Sequence, residues 1–228
     1  MTWNIAAGHG NLTLIADEIR ADKPDVIALQ EVDVKWSERS AFVDQADSLG
    51  KLLGMNVRFA PIYDVSGRQF GVAILSRFPI TSSMNHEITR LSTQQQSPVP
   101  AKAPGFLETV LEINGTSLRV FSTHLDYRAD PGVRVKQVSE MLEIVRQSNV
   151  PTILAGDLNA TPDAAELQPL FTELHTVSTE MTYPAESPVK RIDYVLASKA
   201  VTLTDPRVSA TSASDHRAVE MTATTCAK

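Results

Sequence analysis

The run Pro151-Thr152-Ile153-Leu154-Ala155-Gly156-Asp157-Leu158-Asn159-Ala160-Thr161-Pro162 is apolar until it stops at a carboxylate, with an amide two residues further on. A strand buried on both faces reads as a continuous apolar run, and functional side chains collect where such a strand passes into loop. Residues two apart on an extended chain share a side, so Asp157 and Asn159 are expected to converge on one ligand. Gly-Asp at a strand end equally suits an Asx turn, and on this stretch alone both readings are open. The pattern recurs, however. Apolar strands end in Gln30-Glu31 and in His124-Leu125-Asp126. Asn4 interrupts a short apolar strand, a place where asparagine is depleted. Asp193 lies near the start of Ile192–Leu196, and Asp215-His216 precedes a final strand.

Between these points the chain alternates strands with short helices. Trp3 to Ala6 reads as a strand; Asn11 is placed to cap a helix carrying Leu12, Ile15, Ala16 and Ile19, which Pro24 ends. Residues 25–31 form an apolar strand. Ser40 is expected to cap a second helix, with Phe42, Val43, Ala46, Leu49, Leu52 and Leu53 on its apolar side and Gly54 at its end. Strands follow at 57–62 and 71–76, separated by a turn at 64–68. Ser92 to Gly105, rich in Gln, Ser, Pro and Ala, reads as an exposed loop that borders the substrate. Asn114-Gly115 joins strands 106–113 and 117–122 as a hairpin. A helix follows Pro131-Gly132, a short one spans 163–171, and strands cover 191–197, 201–208 (an edge strand, because of Pro206) and 218–223. Hairpins mixed with helical crossovers imply an α/β (α+β) protein with mixed sheets. With no repeat and no linker, residues 1–228 are expected to form a single domain.

The 228 residues suffice for one sizeable core. The net charge of −6 supplies no global basic field. Nucleic acid is therefore possible as a partner but not favoured. Cys226 is the single cysteine, so neither a disulfide framework nor a cysteine-based metal site is available. No run is long enough to span a membrane. The expectation is a soluble monomer, cytoplasmic or exported with an upstream signal outside this chain, because Met1–Ile5 looks like the second half of a strand.

The strand ends together offer several carboxylates, two histidines and two amides. Oxygen-rich sets suit hard cations such as magnesium or manganese. Each member has a plainer explanation. Glu31 is also a solvated strand end, His124 a core histidine, Asp215 a turn or cap residue, and Asp193 a partner for Lys190 or Arg191. Gly8-His9-Gly10 hints at a dinucleotide loop, but Thr13 stands where the third glycine of that motif belongs. The plainer explanations do not account for the set.

Seven pieces of the chain carry a resemblance: Thr2-Trp3-Asn4-Ile5, Leu29-Gln30-Glu31-Val32, Gly71-Val72-Ala73-Ile74-Leu75-Ser76-Arg77, Ser122-Thr123-His124-Leu125, Gly156-Asp157-Leu158-Asn159, Arg191-Ile192-Asp193-Tyr194-Val195 and Ser214-Asp215-His216. In this order they resemble the endonuclease/exonuclease/phosphatase superfamily, the DNase I-like proteins that include neutral sphingomyelinases and inositol polyphosphate 5-phosphatases. The resemblance implies a four-layer sandwich, with two mixed β-sheets face to face and helices outside. It also implies a divalent-metal-dependent hydrolase of phosphate esters. Glu31 matches the principal metal ligand and Asn4 its neighbour in the metal and phosphate shell, with Asp215 a further metal ligand. Asp157 and Asn159 match the pair that activates the attacking water and holds the phosphate. His216, oriented by Asp193, matches the catalytic histidine, and His124 the second histidine. Asp157 and His216 both remain open as general base.

Asp126 and Tyr127 extend the histidine motif in a way similar to the sphingomyelinase-like and bacterial branches. Arg128, Arg134 and Lys136 cluster nearby, as phosphate or head-group contacts or as solvated residues at a helix start. Arg77 is either a structural ion pair or a contact at the site rim. The substrate class expected is a phosphodiester, phospholipid or small molecule, with a nuclease as the alternative. A non-catalytic binding module of the same fold would have lost one or more of Glu31, Asp157, Asn159, Asp193 and His216, and all are present.

Overall fold

A computed structural model describes residues 1–8 and 11–225. His9 and Gly10 of the glycine turn, and Cys226, lie outside the described residues. Among the described residues, eleven strands divide into two sheets. The first holds β1 (Thr2–Asn4), β2 (Val26–Val34), β3 (Asn56–Val65), β4 (Arg68–Ser76), β10 (Val201–Ser209) and β11 (Ala218–Thr225), in the order β10-β11-β1-β2-β4-β3. The second runs β5 (Ile80–Arg90), β6 (Ala101–Ile113), β7 (Thr116–His124), β8 (Thr152–Asp157) and β9 (Asp193–Ala197), in sequence order. Each sheet has one parallel pair near its middle, β1 with β2 and β7 with β8; the other pairings are antiparallel.

Side-chain alternation along the strands builds the layers. Ile27 and Leu29 of β2 pack with Trp3, Ala73 and Leu75 against α1 (Leu12–Asp22) and α2 (Gln45–Leu53), while Ala28 between them faces the other sheet beside Ala155, Val195 and Val219. On the second sheet, Phe106, Phe121, Leu154 and Leu196 meet α3 (Gly132–Val145) and α4 (Gln168–Glu173). Val72, Ile74, Leu107, Leu118 and Val120 fill the space between sheets. The result is the four-layer sandwich that the resemblance implied.

Two helix ends behave as read. Asn11 accepts the backbone N–H groups of Thr13 and Leu14 at 2.9 and 3.3 Å, and Gly54 ends α2 at φ 64°. Three details differ. The second helix starts at Gln45 with Asp44 as its cap, while Ser40 belongs to a separate 3-10 turn and Phe42 and Val43 are exposed. Residues 80–90 form an edge strand, and β6 begins at Ala101, so the loop expected over 92–105 is confined to 91–100. Finally, β2 does not stop at Glu31. It continues to Val34 through a bulge between Leu29 and Val32, where Glu31 takes φ 53°. Bulges of this kind re-aim a side chain near active sites.

Candidate active site

The two parallel pairs end at the same edge of the sandwich. Asn4 closes β1, Glu31 sits on the bulge of neighbouring β2, and β7 and β8 end in register at His124 and Asp157. Antiparallel β9 brings its first residue, Asp193, opposite Asp157. His216 precedes β11, which runs antiparallel to β1 and so begins at this edge. Topology alone therefore gathers Asn4, Glu31, His124, Asp157, Asp193 and His216 from both sheets. Gly156 permits the close pairing: a Cβ there would stand 2.1 Å from the Thr123 carbonyl oxygen, and its φ is 154°. Any side chain would force β7 away from β8, and His124 away from Asp157.

Asp157 is 1% exposed and uses its two oxygens differently. Oδ1 accepts the Asn159 backbone N–H at 2.8 Å, which closes the Asx turn. Oδ2 accepts from Asn4 Nδ2 at 3.0 Å and faces His124 Nε2 at 3.5 Å and His216 Nε2 at 3.8 Å. The Asx turn is therefore formed, and it leaves Oδ2 to Asn4 and the two histidines. Asn159 does not project as an extended strand would direct it. It takes φ 50°, and its Nδ2 donates to the Leu125 carbonyl at 3.0 Å.

Asn4, fully buried, also donates to Glu31 Oε1 at 3.2 Å, so one amide links the two carboxylates. Glu31 is half-buried at the opening. His216 Nδ1 donates to Asp193 at 3.0 Å, and Asp193 also accepts the Thr182 hydroxyl at 2.5 Å. The Tyr183 ring lies 4.7 Å from the imidazole, and the Trp3 indole N–H donates to the His216 carbonyl at 2.9 Å. Arg90, 8% exposed, donates to the Pro104, His124 and Gly105 carbonyls and so pins the end of β7. The sequence reading missed Thr182, Tyr183 and Arg90; none lies at the end of an apolar run, the one signal available.

Burial and the Asp193 charge raise the Asp157 carboxyl to about 6, against the opposing pull of His124 and His216. Burial alone would lower His216; the Asp193 hydrogen bond and charge, with Asp157 and Asp215, outweigh it and raise the imidazole to about 9. His216 is thus an imidazolium at neutral pH. A group raised from 6.5 to about 9 stabilises the fold fully below pH 6.5 and loses that contribution as pH rises through 9, about 3 kcal/mol in all. For the EDTA-treated protein, Tm is accordingly expected to fall between pH 6.5 and 9. The drop should flatten in Asp193→Asn, and an equal drop in both proteins would refute the ion pair.

Buried carboxylates in excess of their counter-charges, with a hard-oxygen donor set, fit a divalent cation. Asp157, Asp193 and His216 offer ligand atoms within 4.8 Å of one another. Asp193 and His216 Nδ1 already satisfy each other, however, which leaves Glu31, at the opening, and the buried Asp157 Oδ2, bridged by Asn4, as the carboxylates outside that pair.

Of the remaining expected residues, Asp126 lines the cavity that opens beside Glu31 and His124, and the others are placed away from the cluster. Asp215 is exposed; its charge reaches His216, but its side chain makes no hydrogen bond to the cluster among the described residues. Arg77 lies beside Pro24 and Asp25 where β2 begins, five residues and roughly 17 Å from Glu31. It is a structural contact, not part of the site rim. Arg134 is buried in an ion pair with Glu166 at 2.7 Å and is not turned to the site. Asp126 is 8% exposed; it accepts the Arg128 backbone N–H at 3.0 Å and pairs with the Arg128 guanidinium. Lys136 is exposed. A cavity of about 200 Å³ opens beside Glu31 and His124, walled by Tyr63, Phe70, Arg90 and Arg128. A larger one of about 340 Å³ lies between the sheets at the opposite end, by Pro24, Asp25 and Glu220, and shares none of these residues.

The model of the Endonuclease/Exonuclease/phosphatase family matches residues 1–216. The chain belongs to that family. Family members are generally hydrolases of phosphate esters and typically depend on a divalent metal. Among solved structures, the endonuclease/exonuclease/phosphatase from Beutenbergia cavernae is 23% identical, with TM-score 0.77 over 98% of this chain and 70% of that one. The human nocturnin catalytic domain, with bound sulfate, is 22% identical at TM-score 0.71, covering 96% and 92%. A mannosyl-6-phosphatase from Bacteroides thetaiotaomicron is 18% identical at TM-score 0.67, covering 98% of each. No match was found among curated protein sequences. No helix among the described residues is long and apolar enough to cross a membrane.

Proposed function

We propose that this family member hydrolyses phosphate esters, phosphodiesters foremost, with magnesium or manganese bound. One observation carries this: Asp157 Oδ2 is faced by two histidines and, through Asn4, by Glu31, all at one edge of the sandwich. Glu31 would hold the ion, which when bound neutralises phosphoryl charge and acidifies water. Asn4, expected from the sequence as a further ligand, turns its NH₂ to Glu31 and Asp157 while its Oδ1 accepts the Ala6 N–H at 3.0 Å, and so positions the two carboxylates instead. Asp157, a buried carboxylate that the two histidines face, is the general base: Oδ2 takes a proton from the attacking water, while Oδ1 stays fixed by the Asx turn. His216, already protonated and held by Asp193, donates its Nε2–H to a phosphoryl oxygen. Asn159, its Nδ2 held by the Leu125 carbonyl, would present its side-chain Oδ1 to the water. His124, across Asp157 from His216, faces the departing oxygen. The cavity beside His124 leaves room for a second ester substituent, which favours diesters over monoesters. Sulfate bound to the nocturnin domain, a tetrahedral anion like phosphate, agrees with this use of the fold.

Bis-p-nitrophenyl phosphate and p-nitrophenyl phosphate, assayed with magnesium or manganese and with EDTA, decide the matter. Turnover of the diester is expected with metal and not with EDTA, at a higher kcat/KM than the monoester. Absence of metal-dependent turnover on either ester would defeat the proposal, and a faster monoester would make the protein a phosphatase.

A further inference from the structure

Three aromatic side chains beside Glu31 take no part in the chemistry above. In the first sheet Phe70 of β4 pairs with Asp33 on β2, two residues past Glu31, and with Tyr63 on β3. A register shift between Pro61 and Tyr63 brings Tyr63 opposite Phe70, and their rings lie 6.2 Å apart at 21°. Trp36, from the loop after β2, sets its ring 6.1 Å from Phe70. The Arg39 guanidinium carbon stands 5.9 Å from the Trp36 ring centre and 5.6 Å from that of Phe70. Fully buried Asp33 holds Arg39 there with two hydrogen bonds of 2.9 and 2.7 Å. The Tyr63 hydroxyl accepts the Thr93 backbone N–H at 3.2 Å. All three rings are partly exposed; Tyr63 and Phe70 pack on one side against the core between the sheets and line the 200 Å³ cavity together with Glu31, His124 and Arg128.

We propose that this aromatic shelf is a stacking subsite for a planar ring of the substrate, and that the substrate is a small nucleotide-type phosphodiester whose base lies on Phe70 and Tyr63, with Trp36 at the edge of Phe70, while its phosphate sits at Glu31. The phosphate position rests on the hydrolase proposal above; the shelf itself does not. Aromatic faces accept any nucleobase, because every base has a π-face. A cavity of this size takes one ring rather than a whole ligand. The fixed Arg39 charge over the rings, with Arg128 on the cavity wall, opposes the quaternary ammonium that aromatic sites otherwise favour, and so disfavours a choline head group. The net charge of −6 works against a long polyanion and for a small ester.

The test compares AMP, ribose 5-phosphate and phosphocholine, titrated by calorimetry and by Trp fluorescence with magnesium present. AMP and ribose 5-phosphate share phosphate and sugar and differ only in the base. AMP is expected to bind about tenfold or more tightly and to quench Trp36 emission. Phe70→Leu, which keeps an apolar side chain in the sheet, and Trp36→Leu, on a loop, are each expected to bring the AMP-to-ribose-5-phosphate ratio toward one, with melting curves confirming that both fold. Equal binding of the two ligands by the wild type overturns the shelf, as does tighter binding of phosphocholine than of AMP, or a ratio unmoved in both variants. If bis-p-nitrophenyl phosphate is turned over but AMP is not preferred, the shelf fails and the hydrolase stands. If no ester is turned over but AMP is preferred, the reverse holds.

Discussion

Asp157→Asn is expected to lower kcat for bis-p-nitrophenyl phosphate by about 10²- to 10⁴-fold, the usual contribution of a positioned general base. The variant should nevertheless melt no lower than wild type. Asparagine retains an oxygen at the Oδ1 position, so the Asx turn to the Asn159 N–H survives. The amide cannot accept a proton from water. Its effect on stability follows from the charge it removes. A carboxyl raised from 3.8 to about 6 destabilises the metal-free fold increasingly as pH rises from 3.8 to 6, and above pH 6 the cost is about 3 kcal/mol. Asparagine escapes that cost, less what is lost by setting its NH₂ against Asn4 Nδ2, which now donates to Oδ2 at 3.0 Å. At pH 8 in EDTA the variant should gain a few degrees in Tm, at about 2–4 °C per kcal/mol for a protein of this size. Added magnesium should then stabilise wild type more than the variant. A variant that keeps activity within tenfold would remove Asp157 from the base role. One that melts far below wild type would reduce its inactivity to misfolding.

Much of this site could be read from the sequence because of where its residues sit. Asn4, His124, Asp157 and Asp193 each end or begin a buried strand, so a polar letter interrupts an apolar run and is visible without coordinates. Glu31 was visible for the same reason, but its geometry was not. The strand continues to Val34, and a bulge leaves no mark on apolar alternation. The start of the second helix was misplaced because Phe42 and Val43 extend an apolar period that tertiary structure leaves exposed. The strand at 80–90 was not recognised because an edge strand carrying Thr, Ser, Asn and Glu, exposed for much of its length, keeps no clear alternation. Thr182, Tyr183 and Arg90 act on the site across long sequence separations, which local pattern cannot report. The same blindness affects charged side chains. Arg77 and Arg134 looked equally available to a phosphate, and only the fold shows one against Pro24 and Asp25 and the other in a buried ion pair.

Arg134→Ala is therefore expected to cost stability rather than substrate affinity. Arg134 is 6% exposed at the start of α3. Its Nε and second terminal nitrogen reach Glu166 Oε1 at 2.9 and 2.7 Å, and its other nitrogen donates to the Asp126 and Arg128 carbonyls at 2.9 and 2.5 Å. One guanidinium thus ties α3 to the 3-10 turn at Ala165–Leu167 and to the loop that walls the cavity. Removing it strands the Glu166 carboxylate, whose side chain is only 8% exposed, together with two backbone carbonyls. Breaking a buried pair in this way costs about 3–5 kcal/mol. For a protein of this size that is a drop of roughly 6–20 °C in Tm. Arg134→Met with Glu166→Leu should recover most of the loss, because the penalty comes from the unpaired charge rather than from the absence of the pair. Assayed well below its Tm, Arg134→Ala should show a KM for bis-p-nitrophenyl phosphate close to that of wild type. A Tm within about 2 °C of wild type and a KM raised severalfold would return Arg134 to the substrate. That result would also require the guanidinium to leave four hydrogen-bonding contacts at once, at a cost no exposed phosphate contact offsets.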